Sequence, residues 1–144
     1  MAAQDSTETM HATSVAIDGR AVLICGASGA GKSDLALRLI DRGAMLISDD
    51  YTIVRSSGGQ LEASAPATIA GMMEVRGVGV VDLPSIKGAR LALIIDLSQD
   101  IDRMPGDPEE WLVAGVPLPV VKVSPFEASA PIKVELALKT MGLA

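Results

Sequence analysis

The sequence predicts an α/β domain with a mixed β-sheet and flanking helices. Short apolar runs typical of strands alternate with two segments typical of helices, and the strands outnumber the helices. A glycine-rich segment, residues 26–33, joins one apolar run to the first of those helices. Turn residues join other apolar runs as hairpins, so antiparallel strand pairs are expected in the same sheet.

The first predicted elements lead into and out of the glycine-rich segment. Residues 15–17 and 21–25 are two apolar strands, and Asp18-Gly19 between them is typical of a tight turn. Residues 34–42 place leucines at three-to-four spacing, which predicts an amphipathic helix. Gly43 stands where a left-handed C-terminal cap is expected.

The remaining elements are predicted from apolar runs and their flanking turn residues. Ser129 is expected to cap the last helix, which has Pro131 in its first turn and Gly142 after its end. The predicted elements are a strand at 44–48, a hairpin of 51–55 with 60–63, an ambiguous segment at 66–73, strands at 78–82 and 90–96, a loop at 100–110, a strand at 118–123 and a helix at 130–140.

Composition limits the kind of protein and its partners. The chain has 144 residues, 49% of them hydrophobic, and fits one domain, which we expect at 11–144 behind a disordered tail at 1–10. Its formal net charge of −6 disfavours nucleic acid or an anionic membrane as the main partner. Cys25 is the only cysteine, which excludes an internal disulfide. We find no targeting signal and no apolar run of membrane-spanning length, so a cytoplasmic location is expected.

The glycine-rich segment matches the phosphate-binding pattern G-x-x-x-x-G-K-[ST] in the strand-to-helix context that the pattern requires. Lys32 is expected to hold the β- and γ-phosphates of a nucleotide, and the Ser33 hydroxyl to bind Mg²⁺. The alternative is a glycine-rich turn without a ligand. The predicted nucleotide-binding residues are Gly26, Ala27, Ser28, Gly29, Ala30, Gly31, Lys32 and Ser33.

Two acids, Asp49 and Asp50, follow the strand after the loop helix. Ligands of open α/β sheets bind at the carboxyl ends of strands, so one acid can serve as a general base and the other can help to hold Mg²⁺. The alternative is a solvated turn. A dinucleotide-binding fold also uses an acid at this distance, but Ser28 stands where its second glycine belongs.

A third cluster, residues 74–82, places Glu74 and Arg76 in an apolar, glycine-spaced run. Spacing alone leaves two interpretations open, namely a local ion pair in a loop and a segment that faces metal or phosphate. His11, the only histidine, is by itself typical of a solvated surface.

Taken together, these motifs resemble the bacterial HPr kinase/phosphorylase family. His11 lies where that family has the His of H-G-V, and residues 26–33 resemble its G-D-S-G-V-G-K-S loop. Residues 33–43 resemble its S-E-T-A-L…R-G helix, and residues 48–50 are similar to its A-D-D. Residues 74–82 resemble its E-I-R-G-L-G-I-I-D signature. The chain looks like the short forms of some proteobacteria.

The resemblance implies a phosphoenolpyruvate-carboxykinase-like kinase core that uses ATP to phosphorylate a serine of HPr, the phosphocarrier of the sugar phosphotransferase system. It implies that Asp49 is the catalytic base, that Lys32 binds the phosphates and that His11 lies in the active site. Ser33, Asp50 and Glu74 would hold Mg²⁺. It also implies a homo-oligomer, a hexamer in the family.

One departure from the family bears on the reverse reaction. The family has a basic P-V-R-x-G-R-N loop, whereas residues 119–127 retain Lys122 but lack the arginines. The sequence therefore favours the kinase reaction over phosphorolysis. Two alternatives stay open, a non-catalytic nucleotide-binding regulator and a small-molecule kinase with the same type of loop.

Overall fold

The computed structural model describes residues 5–98, 100–101, 104 and 106–144. Within these residues the chain forms eleven strands, two α-helices and one short 3-10 helix at Ala67–Ile69. The strands and helices are β1 Thr7–Met10, β2 Ala12–Ile17, β3 Arg20–Cys25, α1 Lys32–Asp41, β4 Met45–Ser48, β5 Thr52–Ser57, β6 Gln60–Ser64, β7 Met72–Val75, β8 Gly79–Asp82, β9 Gly88–Leu97, β10 Glu109–Val113, β11 Val116–Val123 and α2 Ala130–Met141.

Nine of the described strands form one mixed sheet, and β7 and β8 form a separate hairpin. The path through the sheet runs β1-β5-β6-β9-β3-β2-β4. The long strand β9 pairs parallel with β3 along one edge. Its other edge is shared, because its first residues pair antiparallel with β6 and its last residues pair parallel with β11. The predicted α/β class and mixed sheet are confirmed.

Alternate residues of the central strands fill two buried clusters, one on each face of the sheet. In β3, Val22 and Ile24 belong to the cluster that α1 and α2 complete with residues such as Leu35 and Val134. Leu23, between them, belongs to the second cluster, on the opposite face. Both faces of β3 are buried, and the phosphate-loop motif begins directly after its last residue.

The predicted turns are confirmed by backbone conformation. Asp18 and Gly19 have positive φ of 50° and 81°, which joins β2 to β3 as a tight hairpin. Gly58 and Gly59 join β5 to β6 in the same way, with φ of 60° and 78°. Gly43 ends α1 with φ of 111°, which glycine adopts without the penalty of a Cβ atom.

Three details of the sequence prediction are wrong. The tail expected at 1–10 is strand from Thr7 to Met10, because β1 pairs with the otherwise open edge of β5; residues 1–4 lie outside the described residues. The loop expected at 100–110 already becomes β10 at Glu109, and residues 102, 103 and 105 of it are not described. Ser129 makes no side-chain capping bond, although α2 does begin at Ala130.

The ambiguous segment at 66–73 contains the 3-10 helix and the start of β7. Glu74 therefore lies in a strand, and Arg76 and Gly77 lie in the turn that follows it. The segment that follows β8 runs beside β4, and the Leu46 nitrogen of β4 donates to the Pro84 carbonyl at 2.8 Å. Neither of the described α-helices has the length and hydropathy that crossing a bilayer requires.

Candidate active site

The motif from Gly26 to Ser33 forms a tight loop after β3 and the first two residues of α1, and the geometry of the loop requires glycine. Gly29 and Gly31 have φ of 80° and 103°. A Cβ atom on Gly26 would lie 3.1 Å from the Ala30 Cβ and 3.3 Å from the Leu97 Cβ, closer than side chains normally pack. Because α1 begins at Lys32, the free N–H groups of its first turn belong to this loop, as an anion site requires.

Lys32 folds back over the loop. Its Nζ atom donates to the Gly26 carbonyl at 2.8 Å and to the Ala27 carbonyl at 3.0 Å, and the residue is 7% exposed. The ammonium group is thus held by main-chain oxygens of the loop rather than by a carboxylate. A phosphate group in the loop would meet a positive charge that is already in place.

Asp49 lies at the carboxyl end of β4, in direct contact with the loop serine. The Ser33 hydroxyl donates to Asp49 Oδ1 at 2.6 Å, and the Thr13 hydroxyl of β2 donates to the same oxygen at 3.2 Å. The Asp49 residue is 8% exposed. The strand order places β4 two positions from β3, which explains how the acid reaches the start of α1. The predicted proximity of Asp49 to Ser33 is found.

Asp50 is the more exposed acid of the pair. Its backbone has φ of 70°, its nitrogen donates to the Thr13 hydroxyl, and its side chain is 61% exposed. The His11 Nε2 atom lies 2.9 Å from Asp50 Oδ1, and the His11 ring stacks on Tyr51 with a centroid distance of 5.1 Å. His11 is therefore brought to the acid pair, but through Asp50 and not through Asp49.

The loop and the β7–β8 hairpin enclose a cleft of about 1050 Å³, which we call the loop cleft. Lys32 and Ser33 line one side of it, and Glu74 and Arg76 line the other, with Asp50 also on its wall. The described residues contain no group of three or more His, Cys, Asp or Glu side chains close enough to hold a metal ion. The predicted Mg²⁺ residues Ser33, Asp50 and Glu74 share the cleft, and their role in metal binding stays a prediction.

Two residues near the loop carried no motif in the sequence. Asp96, the next-to-last residue of β9, pairs with Cys25, the last residue of β3, and an acid near the end of an apolar strand could have marked it. Burial raises the pKa of Asp96, an effect that Lys122 opposes and Glu109 increases. Burial also raises the pKa of Cys25 to about 12, with a further contribution from Asp96, so its thiol stays neutral and inert.

Phe126 is the second residue, and the edge of its ring lies at Gly31.

A second cleft, of about 490 Å³, lies at the other end of α1 and is called the basal cleft. Arg42 on its wall makes three hydrogen bonds to Glu135 of α2, at 2.7 to 3.1 Å. Arg20 donates to the Leu143 carbonyl at 3.0 Å, just past the end of α2. Both arginines of this cleft therefore stabilise the position of α2.

The fold and the loop together define an α/β domain of the phosphate-binding-loop class. The sequence of the chain matches the profile of the HPr Serine kinase C-terminal domain over residues 3–137. The chain belongs to this family.

Relatives and a solved structure agree with that assignment. The chain is 42% identical over 88 residues to the HPr kinase/phosphorylase of Clostridium tetani, which is 61% of this chain and 28% of that protein. It is 37% identical over 128 residues to the enzyme of Latilactobacillus sakei, covering 80% of this chain and 41% of the relative. It spans less than half the length of these relatives. The structure of the Hpr(Ser) kinase/phosphatase from Coxiella burnetii is similar, with a TM-score of 0.80, 28% identity and coverage of 92% of this chain and 94% of that one.

Proposed function

We propose that the chain is the catalytic domain of an ATP-dependent protein serine kinase that phosphorylates HPr. One observation supports it above the others, the 2.6 Å hydrogen bond from Ser33 to Asp49. It joins the serine of a phosphate-binding loop to a nearly buried carboxylate, which is where a phosphoryl-transfer site needs an acid. Membership in the HPr serine kinase family and the names of the relatives support HPr as the acceptor.

The loop and the acid beside it have distinct tasks in this proposal. The loop N–H groups and Lys32 bind the β- and γ-phosphates of ATP. The acceptor serine approaches through the loop cleft and attacks the γ-phosphorus, the bond to the β-phosphate oxygen breaks, and ADP leaves. The proton of the serine hydroxyl passes to Asp49, whose two hydrogen bonds from Ser33 and Thr13 fix the position of its carboxylate.

The oxygen atoms at the loop fit Mg²⁺. This ion keeps several waters and binds through one or two protein oxygens plus substrate phosphates, so a pre-built cage of acids is not required. Ser33 offers a hydroxyl oxygen in contact with the Asp49 carboxylate, and Asp50 offers a second carboxylate on the wall of the same cleft. When bound, Mg²⁺ neutralises negative charge on the phosphate oxygens. Asp50, with Glu74 across the cleft, is assigned to hold the ion and its waters.

His11 and Arg76 are assigned supporting roles. His11 holds Asp50 by a 2.9 Å contact and so orients the outer acid of the pair. Arg76, in the β7–β8 turn, lines the loop cleft, where its guanidinium can pair with phosphate oxygens. Since residues 119–127 lack the arginines of the family's basic loop, we expect phosphorolysis to be weak. A hexameric assembly and a cytoplasmic location also stay predictions.

The test is incubation of the chain with Mg-ATP and HPr, followed by mass spectrometry of HPr. We expect one phosphoserine on HPr with the wild type. We expect none with Asp49→Asn, which keeps an oxygen acceptor for Ser33 but cannot take the proton. Calorimetry should show Mg-ATP binding by both proteins. Asp41→Asn, at the exposed far end of α1, is the matched control and should keep full activity.

Each alternative outcome has a clear meaning. Full activity of Asp49→Asn would remove Asp49 as the base. Mg-ATP binding without phosphorylated HPr would favour a non-catalytic regulator, and phosphate transfer to a small acceptor alone would favour a small-molecule kinase.

A further inference from the structure

Phe126 is a large apolar side chain that is 62% exposed, although it lies against the loop. A Cβ atom placed on Gly31 would lie 3.3 Å from Phe126 Cε1 and 3.5 Å from its Cζ, so the ring edge borders the phosphate loop. The ring also lines the loop cleft, together with Asp34 and Leu37 of α1. It is the only phenylalanine in a chain with three aromatic residues.

Arg38 fixes the turn that carries this ring. From the second turn of α1, its Nη1 donates to the Glu127 carbonyl at 3.2 Å and its Nη2 donates to the Pro125 carbonyl. The same guanidinium pairs with Asp34 at 3.0 Å. Glu127 in addition pairs with Lys133 of α2 at 2.6 Å. The turn is thus bound to both helices, and Phe126 is held at the loop cleft and not left as a free surface side chain.

We propose that Phe126 is the stacking surface for the base of the nucleotide whose phosphates bind the loop, and that Arg38 is the positioning residue for this surface. The inference rests on the proposed function, because it takes ATP as the ligand. A nucleoside triphosphate on the loop extends beyond the loop by its ribose and base, and Phe126 offers an exposed ring in the same cleft. A flat base packs well on such a ring, whichever base it is.

Two ligands separate base binding from phosphate binding. Calorimetry with Mg-ATP and with Mg-tripolyphosphate measures both on the same protein. For Phe126→Ala we expect the Kd of Mg-ATP to rise about 5- to 150-fold, the usual range for loss of one base–aromatic stack. The Kd of tripolyphosphate, which has no base, should stay unchanged. Leu112→Ala, which removes another large exposed apolar side chain, on β10, should change neither value.

The position of Arg38 is tested by a double-mutant cycle. Arg38→Lys keeps a positive charge near Asp34 but lacks the planar guanidinium, whose two separate nitrogens reach the Glu127 and Pro125 carbonyls. We expect it to weaken the binding of Mg-ATP but not of tripolyphosphate, and to cause no further loss of affinity when Phe126 is already alanine. If Arg38 had a merely structural role, its replacement would weaken the binding of both ligands and would lower the affinity further in the Phe126→Ala background.

A fluorescence signal reports the stack directly. The double variant Trp111→Phe, Phe126→Trp carries one tryptophan, because Trp111 is the only one in the natural chain. Its emission should change on addition of Mg-ATP and stay constant with Mg-tripolyphosphate. Two results would show that the ring supports the loop and does not stack on the base: an equal loss of affinity for both ligands in Phe126→Ala, or a change in tryptophan emission with both ligands. Either result would overturn this proposal and leave the proposed kinase function unaffected. Absence of Mg-ATP binding by the wild type would overturn both.

Discussion

The loop cleft and the basal cleft lie at opposite ends of α1 and differ in how their charged side chains are partnered. In the basal cleft, Arg42 is paired with Glu135, and Arg20 is bonded to carbonyls at the end of α2. In the loop cleft, Glu74 and Arg76 take part in no ion pair within the described part of the chain. The paired arginines of the basal cleft stabilise the fold, whereas Glu74 and Arg76 are available to a ligand in the loop cleft.

The helix itself contributes to this difference. Its N-terminus carries a partial positive charge and faces the loop cleft, and its C-terminus carries a partial negative charge and faces the basal cleft. Lys32 at the first end adds to an attractive field for anions, and Arg42, the residue that follows the helix at the other end, compensates the dipole. One short helix thus separates the loop that is proposed to bind phosphate from the cleft whose arginines hold α2.

Replacement of the loop lysine should have the largest effect. Lys32→Ala removes the ammonium that the loop carbonyls hold, and we expect phosphoryl transfer to HPr to fall about 100-fold or more. Lys139→Ala, on the wall of the basal cleft, is the control and should leave the rate unchanged. Single-turnover transfer of radiolabelled phosphate measures both. Equal losses in the two variants would break the distinction between the clefts.

Two glycines with similar backbone conformations provide the next comparison. Gly31 and Gly43 have φ of 103° and 111°, so alanine at either is strained and should cost about 1–3 kcal/mol of unfolding free energy. Only Gly31 borders the loop cleft, where an added Cβ would also press on Phe126 and Pro125. We expect Gly31→Ala to lose Mg-ATP binding and Gly43→Ala to keep it, as measured by urea unfolding and calorimetry. Retained binding by Gly31→Ala would contradict the assignment of the loop.

Asp96 gives a pH-dependent effect on stability. Burial raises its pKa in the folded state, so between its ordinary value near 3.8 and the raised value the folded state binds more protons than the unfolded state. The free energy of unfolding therefore falls as pH rises through that range, and ionised Asp96 destabilises the fold at neutral pH. We expect Asp96→Asn to raise the melting temperature at pH 7 and to lose this gain below about pH 3.8. If the higher melting temperature of Asp96→Asn persisted below about pH 3.8, the gain would come from packing and not from the removed charge.

The smallest effect is expected in the basal cleft. Arg42→Gln removes the ion pair with Glu135 at a partly exposed position, where water and salt screen the attraction. We expect a slight decrease in stability that disappears at high salt, with Mg-ATP binding unchanged. A loss of nucleotide affinity would show that the two ends of α1 are coupled.

The sequence predicted those parts of the fold and site that depend on local patterns. The loop from Gly26 to Ser33 and the acids after β4 are consecutive residues, and their chemistry follows from residue type and spacing. The hairpin turns at Asp18 and at Gly58 were equally local.

Other parts depended on tertiary contacts that local patterns do not carry. The polar strand Thr7–Met10 forms only because an edge of β5 is open to it. Phe126 reaches Gly31 across more than 90 residues of chain, and which of the two acids contacts Ser33 depends on how the chain turns at Asp50. These arrangements could not be read from spacing.

The parallel pairing of β3 with β9 has a consequence during synthesis on the ribosome. Strand β9, Gly88–Leu97, which pairs with the strand that leads into the phosphate loop, is translated more than sixty residues after Cys25. Until then the nascent chain contains the complete loop motif without the neighbour that shapes it. Because this long-range pairing needs both strands, we expect the loop to reach its folded shape only after residues 88–97 have been synthesised.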